Sequence, residues 1–288
     1  MASLAVAACR SHSGSRPAEL APGGTWQDLA FEPSADVPEG ERALLFAPGR
    51  DLPLLVALHG RGESGRGLEV GAHGWRDDYL LEHMHDRLRA PPLTAADLGG
   101  MASSARLGRI NASLQAKPFA GLSVACPYTP DLPDRSPEGA AGFGRFVVDT
   151  LIPRARTASG CKPERAATGI DGVSMGGRLA LFVGLTHPEA FGAIGALQPA
   201  LRPEEAPMIS QLAQAAAAKL PLVLRLVSSE ADPFLPAVRA VSERLRADGV
   251  THEMLVVPGN HDYEFNRGPG GAEMLVWHER VLRGLAAP

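Results

Sequence analysis

The residues with the clearest chemical potential lie in Gly172-Val173-Ser174-Met175-Gly176-Gly177. A strand-like run precedes them, and Arg178-Leu179-Ala180-Leu181-Phe182-Val183, helical in pattern, follows. That is the setting a Gly-x-Ser-x-Gly nucleophile elbow requires. The chain must turn sharply from strand to helix, with Ser174 at the apex in a strained backbone. Gly172 and Gly176 flank it because a Cβ there would strike a neighbouring element. The helix N-terminus then aims free N–H groups at the point where negative charge develops.

A serine hydroxyl is a poor nucleophile alone and needs a base and an orienting acid. In this arrangement the acid and then the histidine follow the serine, on loops after later strands. The strand pattern Leu222–Val227 exits into Ser228-Ser229-Glu230-Ala231-Asp232-Pro233, and His252–Val257 exits into Pro258-Gly259-Asn260-His261-Asp262-Tyr263. Asp232 is therefore expected to orient His261, which takes the proton from Ser174 and returns it to the leaving group. Glu230 is the rival acid; the place just before Pro233 favours Asp232. Asp262 is adjacent to His261 and poorly set to orient it. His252 starts a strand and reads as structural. His83 and His85 are two apart on a helical stretch, so they point different ways and read as a solvated face, not a metal pair. Neither metal nor cofactor is expected.

The oxyanion needs two backbone donors. One is expected from Met175, the other from the turn His59-Gly60-Arg61-Gly62, assigned to Arg61 with Gly60 as the alternative. His59, Gln198 and Trp75 are candidate substrate contacts. His59 is also expected to support its loop, and a loop-capping role for Gln198 stands beside the substrate role. Asp171, three residues before the serine, either tunes the site or bonds a neighbouring loop. Tyr128 to Asp134 is a candidate wall.

These side chains need a scaffold. Continuous apolar runs at Ala43–Phe46, Leu54–Leu58, Leu122–Cys126, Ala166–Ile170 and Ala193–Leu197, with the two strands above, alternate with helical spacing at Phe143–Arg156, Gly176–Thr186, Ile209–Lys219, Leu235–Ala247 and Ala272–Leu285. Runs of this kind suit strands covered on both faces. The fold class is α/β, a mostly parallel sheet with helices on both faces. The stretch between Leu58 and Leu122 is longer than a normal crossover. It reads as an insertion over about 64–118, with helical stretches at Asp77–Arg89 and Ala95–Leu114, serving either as a cap over the sheet's edge or as structure alone.

The chain has 288 residues, 45% hydrophobic and 21% charged, with a net charge of -4. Such composition excludes disorder as the dominant state and carries no basic footprint for nucleic acid. Cys9, Cys126 and Cys161 make no disulfide framework. No apolar run is long enough to span a membrane. Residues 1–40, rich in Ser, Gly, Pro and Ala, read as a flexible tail before one catalytic domain over 41–288. Met1–Cys9 reads as a disordered leader or as the product of a misplaced start codon, which favours a cytoplasmic protein. The other reading, a signal ending at Cys9, implies export or a lipid anchor. Oligomeric state stays open.

Leu58-His59-Gly60, the Ser174 elbow and Gly259-Asn260-His261-Asp262-Tyr263 together resemble the α/β-hydrolase superfamily. Within it the chain is most similar to the branch of esterase D, feruloyl esterases, enterochelin esterases and antigen 85 mycolyltransferases. The resemblance spans roughly 41 to 285. It implies an α/β-hydrolase fold and a cofactor-free Ser-His-Asp hydrolase acting on small-molecule carboxylic esters, with Ser174, Asp232 and His261 at the triad positions. The departure is the long insertion, with Trp75, Arg76, Asp77, Asp78 and Tyr79 near its start, where this fold builds its substrate pockets. The same triad would serve an acyltransferase or a peptidase. A non-catalytic binding protein of this fold is disfavoured, since all three positions are filled.

Overall fold

Apolar runs without alternation must be covered on both sides, and the sheet of this protein is. The computed structural model describes residues 23–288. Its eight strands are β1 (Thr25–Phe31), β2 (Glu41–Ala47), β3 (Leu54–Leu58), β4 (Ser123–Pro127), β5 (Thr168–Gly172), β6 (Ala193–Leu197), β7 (Leu224–Ser229) and β8 (Glu253–Val257). They form one sheet in the order β1-β2-β4-β3-β5-β6-β7-β8. The β1–β2 and β2–β4 pairs are antiparallel, and every later pair is parallel. This is the α/β-hydrolase fold.

The helices that position the site or cover the sheet are α1 (Arg61–Ser64), α2 (Leu81–Arg89), α3 (Ser104–Ala116), α4 (Ile152–Ser159), α5 (Met175–Thr186), α6 (Ala206–Lys219), α7 (Leu235–Ala247) and α8 (Gly271–Leu282). Strand β3 shows how the two layers share it. Leu54, Val56 and Leu58 enter one core with residues of α4, α5, α6 and α7. Leu55 and Ala57 enter the other with residues of α2, α3 and α8. All five are fully buried. Burying a side chain of leucine or valine size is worth about 1.5–3 kcal/mol, so a polar residue at any of these positions is strongly disfavoured.

The insertion divides its labour. Leu81, Met84, Leu88, Ile110 and Leu114 are buried in the α8-side core, so α2 and α3 are sheet-covering structure. The segment from α1 to Tyr79 reaches the carboxyl edge of the sheet beside the elbow, and Met101 reaches that edge at Gly259, after β8.

Two expectations need revision. Thr25–Phe31, placed in the tail on composition, is the edge strand β1. Within it only Leu29 is fully buried, so an antiparallel edge leaves too weak an apolar pattern to read in advance. The short helical stretches expected at 77–89 and 95–114 begin later or break, with Leu80 at φ 51° preceding α2. The readings of Met1–Cys9 lie outside the described residues. Cys126 and Cys161 are buried free thiols. No helix among the described residues is long and apolar enough to cross a membrane.

Candidate active site

Ser174 lies between β5 and α5 with φ 57° and ψ −116°, backbone angles that L-residues rarely adopt. Its neighbours hold it there. The Ser174 N–H donates to the Leu197 carbonyl at 3.0 Å, and the Val173 N–H donates to that of Leu58 at 3.0 Å. The glycines are obligatory for steric reasons. A Cβ on Gly172 would lie 2.5 Å from the Gly176 carbonyl, and one on Gly176 would lie 2.4 Å from that of Leu58. Backbone packs on backbone at both points, and neither can yield cheaply.

Two parallel neighbours supply the other groups. The loop after β7 carries Asp232 and the loop after β8 carries His261, and backbone bonds from Glu230 to Val257 and from Ala231 to Gly259, both 3.0 Å, tie the loops together. His261 Nε2 lies 3.0 Å from Ser174 Oγ, and His261 Nδ1 lies 3.0 Å from Asp232 Oδ1. Asp232 is 4% exposed and also accepts from Ser228 Oγ at 2.6 Å and from the Phe234 N–H at 3.0 Å. Its carboxylate is thus fixed before the imidazole meets it. The Phe234 ring stands edge-on to His261, centroids 5.3 Å apart. The half-buried histidine is held from both sides in a position to accept the serine proton. Glu230 is exposed, and Asp262 instead accepts the Phe265 N–H at 2.8 Å.

The candidate donors for an oxyanion stand opposite. Met175 opens α5, so its N–H has no intrahelical acceptor. Arg61 opens α1, while the Gly60 N–H is already donated to Tyr79 Oη at 3.1 Å. That bond removes Gly60 from the competition and leaves Arg61. The turn is close: a Cβ on Gly60 would lie 3.8 Å from Ser174 Cβ.

Three proposed substrate contacts are corrected by their burial. His59 and Gln198 are fully buried and Trp75 is 1% exposed. His59 Nε2 accepts the Thr129 N–H at 2.8 Å, fastening the turn to the end of β4. Burial pushes its pKa down to about 4, so it is a neutral acceptor there. Gln198, at φ 45°, donates from Nε2 to the Asn260 carbonyl and to Ser229 Oγ, both 2.7 Å. It secures the residue before His261. Trp75 packs edge-on against Tyr79. His252 meets Ser242 Oγ at 2.7 Å, a structural bond. Asp171 accepts the Gly172 N–H at 2.7 Å and faces His278 Nε2 at 3.0 Å beneath the elbow. His83 is exposed, as a solvated helix face requires, whereas His85 is fully buried, and burial pushes the His85 pKa down to about 3.

Glu63 carries a role that sequence reading passed over. It is 1% exposed and accepts Tyr79 Oη–H and Tyr263 Oη–H, each at 2.5 Å. Tyr263 belongs to the loop of His261, and Tyr79 holds Gly60. One carboxyl therefore joins the oxyanion turn, the insertion and the histidine loop. Burial, reinforced by Glu63, pushes the Tyr263 pKa up to about 12 and that of Tyr79 well above its ordinary value, so both remain donors. A glutamate three positions after Gly60 gives no sequence signal, since its partners are 16 and 200 residues away.

Residues 127–269, which include Ser174, Asp232 and His261, match the family model described as Putative esterase. Over that stretch the chain resembles the putative-esterase branch of the α/β-hydrolases. Solved structures agree on the fold of this esterase. A ferulic acid esterase superposes with TM-score 0.66 at 16% identity, over 90% of this chain and 99% of that one. An S-formylglutathione hydrolase from Staphylococcus aureus gives 0.61 at 14% identity, over 88% and 98%. The enterobactin esterase from Shigella flexneri gives 0.55 at 15% identity, over 92% of this chain and 59% of that one. No curated protein matches the esterase at the level of sequence.

Proposed function

We propose that this esterase hydrolyses small-molecule carboxylic esters through an acyl-enzyme on Ser174. The observation that carries this reading is the continuous relay from Asp232 through His261 to Ser174, at 3.0 Å on each side of the imidazole. His261 takes the Oγ proton as Ser174 attacks the ester carbonyl. The N–H groups of Met175 and Arg61 receive the oxyanion, helped by the N-terminal end of α5. His261 then gives its proton to the departing alcohol, activates a water, and the acid is released. Asp232 holds the tautomer with Nδ1 protonated and stabilises the imidazolium.

A fluorophosphonate probe tests the nucleophile. Wild-type protein is expected to label and Ser174→Ala to remain unlabelled. An unlabelled wild type, or equal labelling of both, ends the proposal. Hydrolysis, transfer to a second alcohol and amide cleavage share the acyl-enzyme. They are separated by supplying one aryl ester with water alone, with added alcohols, and beside the matching anilide; release of free acid from the ester with water alone is the expected result.

A further inference from the structure

A cavity of about 200 Å³ opens at Ser174, and its lining includes Met175 and Arg61 but not His261. Since His261 protonates the alcohol as it leaves, the alcohol must depart on the His261 side, and this cavity faces the acyl part. Its inner wall is apolar, with Leu179 and Phe182 of α5 and Leu201. The charged part of its lining is four guanidiniums, Arg61, Arg135, Arg178 and Arg202, against one carboxylate, Asp131.

The local charges do not balance. Asp131 is shared by Arg61 at 2.7 Å and Arg135 at 3.1 Å. Arg178 pairs with Glu205. Four guanidiniums thus meet two carboxylates, in a chain whose net charge is -4. The guanidinium of Arg202 forms no salt bridge among the described residues; Arg202 meets Glu205 through its backbone, the N–H donating to the carboxylate at 2.8 Å and the carbonyl accepting the Glu205 N–H at 3.0 Å. Arg178, 9% exposed, keeps Nε without a hydrogen-bond partner. An apolar slot bounded by unneutralised guanidinium fits a short chain ending in an anion, because a guanidinium fork matches a carboxylate.

We propose that the acyl part of the substrate carries a carboxylate, received by Arg202 and Arg135, so that the esterase cleaves monoesters of short dicarboxylic acids. The inference rests on the acyl-enzyme reading above. The step balances as hydrolysis: ester and water give the dicarboxylic acid and the free alcohol.

The test compares mono-4-nitrophenyl adipate with 4-nitrophenyl hexanoate, corrected for spontaneous hydrolysis, since the two differ by a carboxylate in place of a methyl. In low salt the adipate ester is expected to be favoured about tenfold in kcat/KM, with the ratio shrinking in 0.5 M NaCl as screening grows. Arg202→Gln and Arg135→Gln should each bring the ratio toward one. Arg239→Gln, the same charge change on the exposed face of α7, should leave it alone. Equal kcat/KM for the two esters in the wild type, or a preference that survives the Arg135→Gln/Arg202→Gln double variant, overturns the proposal. If neither ester is hydrolysed, the acyl-enzyme reading fails by itself. The subsite is then decided by titrating Ser174→Ala with adipate and with hexanoate: tighter adipate binding lost in the double variant supports it, and equal binding rejects it.

Discussion

The catalytic proposal depends most on Asp232, because its two oxygens do different work. One faces His261 and also accepts the Phe234 N–H; the other accepts from Ser228. An asparagine can keep the shape but not the charge, and its amide group must displace one of these donors. Asp232→Asn should therefore lower kcat by roughly 10³–10⁴-fold, through loss of the correct imidazole tautomer, with far less effect on KM. Glu230→Gln, altering an exposed side chain, should change neither. The measurement is steady-state turnover of a 4-nitrophenyl ester by both variants. Full activity in Asp232→Asn removes that residue from the mechanism. The serine was legible in sequence because its chemistry demands glycines on both sides. The acid and the histidine were legible because loop exits and chain order restrict them. His59 and Gln198 take the loop-supporting role that stood beside the substrate role, and Trp75 turns into the core, because position in the sequence does not say which way a side chain points. All three face inward, and His59 and Gln198 tie down loops of the site.

At the scale of elements, the apolar runs announced the strands whose both faces are covered, and β3 and β6 begin and end where those runs do. Strand β1 was hidden because an edge strand buries little. The insertion was visible as excess length, but its division into sheet-covering helices and a site-facing turn follows from contacts distant in sequence. Glu63 is the joint of that second part. Tyr79 Oη accepts from Gly60 and must donate to Glu63, so the carboxyl fixes the turn that presents the Arg61 N–H. Glu63→Ala leaves two hydroxyls without their acceptor and frees the turn from the histidine loop. A displaced oxyanion donor of this kind costs on the order of 10²-fold in rate. Glu63→Gln keeps an oxygen for Tyr79 and should retain most activity. The expected pattern is a fall in kcat and in fluorophosphonate labelling rate for Glu63→Ala, with circular dichroism unchanged at the assay temperature, and rescue by Gln. A variant that loses only thermal stability and keeps its labelling rate would reduce Glu63 to a packing residue.

For the whole molecule, two buried glutamates reveal how the fold distributes charge. Glu273 is 2% exposed; burial pushes its pKa up, but Arg106 and Arg225, both within 2.6 Å, overcome this and hold it below its ordinary value. Glu41, 4% exposed at the start of β2, has only the Arg42 N–H at 2.9 Å, and burial pushes its pKa up to about 8. The folded state then holds a proton on Glu41 that the unfolded chain releases near 4.5, so stability falls as pH rises between those values. His59 and His85 act in the opposite sense. Their folded values of about 4 and about 3 lie below 6.5, so the stability they permit is complete above 6.5 and is lost as pH falls toward the folded values. Between pH 4.5 and 6.5 the two effects oppose each other, and above 6.5 Glu41 acts alone of these three. From pH 6.5 to 8 the wild type should lose about 1–2 kcal/mol, or roughly 3–6 °C in Tm. Glutamine at this position keeps an acceptor for the Arg42 N–H and has no proton to lose. Glu41→Gln should therefore hold its Tm over that interval and exceed the wild type at pH 8. Thermal melts of both proteins at half-unit steps of pH decide the matter: parallel curves would mean that Glu41 is solvated or paired in the folded state and that the stability of β2 does not depend on its proton.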